Sequence, residues 1–205
     1  MSVKKIGFLH SGSFYHEADL KDPVLRSYDV EDLYIPDTQP ADIMECDSLV
    51  VAGRVHQGTF ARLIPAVLEF INTSGKKIYI EGANNVGAWL EGTREEPRPT
   101  NFWAWRTGED TTRRNRNTDH PMWKYYTDEA LHWHFHGALY PPQGAVPLVV
   151  LEEGAEEDGA IIYYDNATFP AELVVTTMDP CYHHGAGFMP GATQLLYRSL
   201  RWLAD

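Results

Sequence analysis

The sequence predicts an α/β domain built on a mostly parallel, doubly wound sheet in three layers. Two observations carry that expectation. DSLVVAG (47 to 53) and KKIYIEG (76 to 82) are continuous apolar runs ending at glycine, as strands buried on both faces do. Between them, TFARLIPAVLEFINTSG places Phe60, Leu63, Ile64, Val67, Leu68 and Ile71 at helical spacing, with Gly75 as a stop and Pro65 in a first turn or at a kink. A strand, helix, strand succession closes as a right-handed parallel crossover.

The remaining elements follow in order. IGFLH (6 to 10) reads as the first strand, and DVEDLYI (29 to 35) follows across a polar, partly helical connection. Between Thr93 and Asp119 the pattern breaks: two prolines, six arginines and no apolar periodicity make this a long loop or irregular insertion. Trp103 and Trp105 argue against plain disorder there. LHWHFHG (131 to 137), VPLVVLEE (146 to 153), GAIIYYDNA (159 to 167) and ELVVTTM (172 to 178) read as further strands. Ala192, Leu195, Leu196, Ser199, Leu200 and Leu203 trace one face of a closing helix. The 205 residues suit a single domain, without internal repeats.

Charge and cysteine content narrow the partners. Lys and Arg number 17 against 29 Asp and Glu, a formal charge of -12, which disfavours nucleic acid and anionic membrane surfaces. No apolar run approaches the roughly 18 residues of a membrane span, and the first residues lack the apolar stretch of a leader. With two cysteines, Cys46 and Cys181, the chain fits a reducing compartment, so a cytoplasmic protein is expected. Cys181, followed by Tyr182, His183 and His184, invites comparison with an imidazole-activated thiol, but cysteines are more often simply buried.

YIEGANNVGAWL (79 to 90) has the layout of a sharp strand-to-helix turn that presents a nucleophile, yet holds Ala83, Asn84 and Asn85 where Ser or Cys would stand. An amide cannot be activated as a nucleophile; Asn84 can hydrogen-bond a ligand or support the turn. HWHFH is the strongest chemical signal. On a strand, His132, His134 and His136 would share one face while Trp133 and Phe135 pack behind. Same-face neighbours on a strand lie roughly 6 to 7 Å apart, so two of the three reach one ion more easily than all three. The expected centre therefore takes two histidines from this row and one ligand from elsewhere, with His183, His184, His120 or Cys181 as candidates. A divalent ion such as Zn²⁺ would suit it. A solvated histidine row is the plain alternative.

Ligands of open parallel sheets bind outside the carboxyl ends of the strands. Those ends carry His10, Ser11, His16 and Glu17, then Arg54 and His56, then Glu81 and Asn84, and later Asp165. His16, Glu81 and Asn84 are the expected catalytic group; His10, Ser11, Arg54, His56 and Asp165 are expected to bind ligand. Arg113, Arg114 and Arg116 could grip a phosphate or carboxylate beside Trp103 and Trp105, or the segment could form a contact between subunits, which is the preferred reading.

KIGFLHSG then YHE, DSLVVAG followed by a helix, KKIYIEGAN, DHPMW, GAIIYYDNATFP and a closing helix ending RSLRWL together resemble the class I glutamine amidotransferase-like superfamily, of flavodoxin-like fold. Within it the chain looks like the ThuA-like, trehalose-utilisation branch. Amidotransferases of this superfamily carry a GxCxG turn with a downstream His and Glu pair. Here GANNVG puts Asn84 roughly at the cysteine, so glutamine hydrolysis is not expected. The branch typically shows a histidine followed by an acid after the first strand, which YHE (15 to 17) matches at His16. The resemblance thus implies binding or processing of a sugar-derived small molecule, by a metal-dependent hydrolase or isomerase if the protein is catalytic, in a homo-oligomer. The alternative is a silent oligomeric scaffold of the same fold.

Overall fold

The computed structural model describes residues 3–99, 102–154 and 157–205. The strands in chain order are β1 (Lys5–His10), β2 (Asp29–Tyr34), β3 (Ser48–Val51), β4 (Lys77–Ile80), β5 (Arg94–Pro97), β6 (Arg113–Asn115), β7 (Gly137–Tyr140), β8 (Val146–Leu151), β9 (Gly159–Asp165) and β10 (Glu172–Thr176). The helices are α1 (Phe14–Lys21), α2 (Pro40–Met44), α3 (Gln57–Phe60), α4 (Ile64–Ile71), α5 (Ala104–Thr107), α6 (Asp128–Leu131), α7 (Pro180–Gly185) and α8 (Pro190–Ala204).

These strands form one mixed sheet. Strands β2, β1, β3, β4 and β10 lie side by side and parallel, and β9 continues the sheet antiparallel to β10. The chain steps outward from β1 to β2, then returns to β3 and winds the other way, which is the doubly wound pattern with its reversal between β1 and β3. Alternate residues of each inner strand feed two separate cores. Phe8, Val50, Tyr79 and Val174 pack with Leu195, Leu196 and Leu200 of α8, whereas Leu9, Val51, Ile80 and Val175 pack with Phe60, Val67 and Phe70 of α3 and α4. Two apolar faces explain why the strands read as unbroken apolar runs, and they give the α/β three-layer architecture.

Far from the reversal, β8 pairs with β9 from Val146↔Tyr164 to Leu151↔Gly159. A strand has two sides only, so β10 and β7 share the other side of β9 in succession: β10 pairs with residues 162 to 165, and β7 pairs at Ala160. β7 therefore starts where β10 stops, and the amide of His136 donates to the Thr177 carbonyl at 3.2 Å.

Three local expectations change. The helix between β3 and β4 is broken: α3 ends at Phe60, and Pro65 sits in the first turn of α4. The 93 to 119 insertion, whose residues 100 and 101 lie outside the described residues, is not an irregular loop throughout. It supplies two edge strands, with β5 on β7 and β6 on β8. Arg113, Arg114 and Arg116 face acids rather than an open anion pocket, pairing with Asp128, with Asp110 and with Glu152. HWHFH is extended but outside any ladder; the strand begins only at Gly137. Among the described residues, no helix is long and apolar enough to cross a membrane.

Candidate functional site

Asp179 leaves the sheet just beyond β10 and caps α7, while His183 follows one turn later on the same helix face. His136 arrives from the opposite direction, at the head of β7. Asp179 Oδ1 consequently lies 3.1 Å from His136 Nε2 and 3.0 Å from His183 Nε2. One ligand atom from each of the three falls within 4.8 Å of the others. These contacts are close without being hydrogen bonds: among the described residues, Asp179 Oδ1 and both ring nitrogens of His183 are buried with no hydrogen-bond partner. Buried polar atoms are nearly always paired, so three unpaired donors converging on one point fit a cation between them.

The electrostatics agree. Burial alone would raise the Asp179 carboxyl, but the imidazoles of His136 and His183 outweigh it and hold the group well below the usual carboxylate range. A carboxylate with two neutral imidazoles is a donor set that Zn²⁺ and similar divalent ions accept, and three protein ligands leave a position open.

Arg54 braces this cluster. Its backbone takes the left-handed conformation, φ 62°, at the turn after β3. Nε donates to Asp179 Oδ2 at 2.5 Å, Nη2 lies 3.4 Å from His136 Nε2, and the guanidinium stacks 3.9 Å above the Tyr182 ring. Holding Oδ2 fixes the carboxylate so that Oδ1 stays with the imidazoles, which is the usual work of a group behind a ligand. His134 stands beside the cluster, its ring 4.6 Å from His136 and 6.0 Å from His183. Burial first, then the neighbouring His136, lowers it to about 4.

A second polar group is buried at the end of β4. Glu81 Oε2 accepts the amides of Gly53 and Cys181 at 2.8 and 3.1 Å, and Oε1 accepts the Cys181 thiol at 3.0 Å. Burial raises Glu81 to about 8 despite these bonds. Burial, and then the charge of Glu81, pushes Asp19 of α1 up to about 9. Cys181 itself is fully buried, and burial holds its thiol far above the usual range, so it is not an activated nucleophile. His16 donates from Nε2 to the Gly53 carbonyl at 2.9 Å, bridging α1 to the end of β3, while burial lowers it to about 4 and leaves Nδ1 without a partner among the described residues.

Several sequence expectations are placed differently. Asn84 spends its whole amide on backbone: Oδ1 accepts from Val55, and Nδ2 donates to the Ala52 and Glu81 carbonyls at 2.8 and 3.0 Å. It clamps the turn rather than facing a substrate. The left-handed residue at the tip is Ala83, φ 59° and exposed, so the nucleophile's place falls there and holds a methyl group. Ser11 and His56 tie two strand ends together, Ser11 Oγ accepting the His56 amide at 2.7 Å, and His56 caps α3. His10 bridges Asp32 at 2.7 Å and the Gly12 amide at 3.0 Å. Asp165 is at the wrong edge: β9 runs antiparallel, so its end pairs with Leu173 at the start of β10, where the carboxylate closes an Asx turn with Ala167 and Thr168.

Of the five histidines expected to bind metal, His136 and His183 meet and His134 adjoins them. His132 turns away beside Arg113 and Asp110, because the row is not a regular strand. His184 points to the other side of α7, bonded to Thr193 at 2.9 Å and 3.5 Å from Asp22. Asp179 is not among the expected ligands, although the sequence carries its signal: Asp179 and His183 are four apart, and Pro180 marks the first helical turn between them.

No family model matches the chain, and no curated protein matches it. Solved structures do. A putative GMP synthase glutamine-independent comparison is not needed to see the likeness: the GMP synthase subunit protein from Thermoplasma acidophilum, itself described as putative, superposes with TM-score 0.64 at 13% identity, covering 100% of this chain and 96% of that one. The mmIFT52 N-terminal domain gives 0.59 at 14%, covering 98% and 97%. The exo-beta-1,4-mannosidase Op5Man5 from Opitutaceae bacterium strain TAV5 gives 0.51 at 11%, covering 99% of this chain and 36% of that one. At such identities the likeness concerns the fold.

Proposed function

We propose that this chain is a ThuA-like protein that binds or processes a sugar-derived small molecule at the carboxyl edge of its sheet, with a divalent ion held by His136, Asp179 and His183. The observation that carries this reading is the set of three buried, mutually close and unpaired ligand atoms. The bound ion would polarise a substrate oxygen or acidify a water, as divalent ions do in hydrolases and isomerases. The chain's own residues do the rest. Arg54 orients Asp179, Phe102 packs 4.7 Å from His134 and 5.5 Å from His183 to shield the site from water, and Tyr182 backs the guanidinium. Glutaminase chemistry is not part of the proposal, since Ala83 and Asn84 offer no nucleophile.

Metal content of untagged protein, measured by plasma mass spectrometry beside a His136→Ala, His183→Ala double variant, tests the reading. Near-stoichiometric Zn²⁺ or a similar ion, lost in the variant, is expected. A fully folded wild type that takes up no divalent ion even after incubation would sink it.

A further inference from the structure

We propose that the ligand of this site is a sugar acid, its carboxylate bridging Arg54 and the metal position while its ring lies on an aromatic rim. The inference rests on the metal reading given above and adds the substrate class.

Charge comes first. Two neutral imidazoles, one carboxylate and a divalent ion leave one positive charge, and the Arg54 guanidinium adds another within the same few ångströms. Arg54 Nη2 is only 3.4 Å from His136 Nε2, which is itself a ligand atom. A guanidinium and a dication so close repel strongly unless an anion lies between them. Asp179 already serves both, Oδ1 toward the imidazoles and Oδ2 toward Nε, so the remaining bridge must come from the ligand. Arg54 keeps donors for it: Nη1 has no partner among the described residues, and the side chain is 35% exposed, so it can present its planar fork to a carboxylate.

Shape comes second. Phe102 and Phe188 pack against His183 at 5.5 and 5.0 Å, and Trp103 stacks on Phe102 at 4.9 Å. Trp103 is 45% and Phe188 36% exposed, large for aromatic rings beside a buried polar centre. Flat apolar faces next to a charged, hydrogen-bonding centre match a pyranose, with one face of C–H bonds and an equatorial carboxylate.

Matched pairs test this: thermal shift and titration of Zn²⁺-loaded wild type with glucuronate against glucose, and galacturonate against galactose. The acids are expected to bind at least about tenfold more tightly, equivalent to about 1.4 kcal/mol. Arg54→Met should abolish the preference, and Arg54→Lys, which keeps the charge without the fork, should retain part of it. Trp103→Ala should weaken acid and neutral sugar alike. Metal content of every sample is measured in parallel. Bound metal with equal response to acid and neutral sugars, or with none to either, overturns the sugar-acid assignment and leaves the metal reading standing; absence of metal uptake overturns both. A preference unchanged in a folded, metal-loaded Arg54→Met protein overturns the role of Arg54 and with it the proposal.

Discussion

Asp19 shows how one buried side chain sets a property that can be measured without any ligand. Its carboxyl is fully buried, both oxygens lack partners among the described residues, and its proton is held up to about 9 against an ordinary 3.8. Because the folded value is raised, the stabilising contribution is complete below the unfolded value and is lost progressively as pH rises toward about 9. His16 acts with the opposite sign: its folded value is lowered to about 4, so its contribution is complete above 6.5 and is lost as pH falls toward 4. Above pH 6.5 only the loss from the buried acids remains. Denaturant unfolding should therefore show stability falling between pH 6.5 and 9. An Asp19→Asn variant should flatten that slope, gaining on wild type by about 1 kcal/mol or more between pH 5 and 8. Parallel curves for the two proteins would mean that Asp19 is ionised in the fold.

Among the elements, the turn after β4 is the most constrained. Gly82 passes so close to β10 that a Cβ there would stand 2.1 Å from the Thr177 carbonyl oxygen, and no side-chain rotation relieves a clash with backbone. Asn84 then makes three bonds to backbone groups of the β3 and β4 ends. Removing them leaves buried donors and acceptors unpaired, so Asn84→Ala is expected to cost about 2 to 4 kcal/mol in chemical denaturation. A cost below about 1 kcal/mol would restore Asn84 as a ligand-facing residue. The sequence showed this turn by its two glycines and its strand-to-helix layout. It could not show which residue faces outward, because that depends on how far the turn rotates over β10, and the structure puts Ala83 there.

At the scale of the whole molecule, the parallel half carries the buried core and the antiparallel half completes the site. β5 and β6, drawn from the arginine-rich insertion, cover the open sides of β7 and β8. Deleting residues 94 to 118 would expose two strand edges, which invite pairing with other chains. The shortened protein is expected to aggregate or lose cooperative unfolding, seen by light scattering and circular dichroism, rather than simply to become a smaller oligomer. A monomeric, cooperatively folding deletion would show the insertion to be a detachable arm.

The sequence by itself determined the three-layer fold, since continuous apolar strands, a crossover helix and an amphipathic closing helix are local patterns with few packings. It also determined the residue types of the site: HWHFH and DPCYHH supply both histidines. Tertiary structure alone decided which of them meet. β7 starts where β10 ends, an arrangement that follows from strands far apart in the chain sharing one side of β9, and this brings His136 to Asp179 and His183 while sending His132 and His184 elsewhere. Asp165 was misplaced for the same reason, because the direction of β9 is fixed by its partners and not by its own residues.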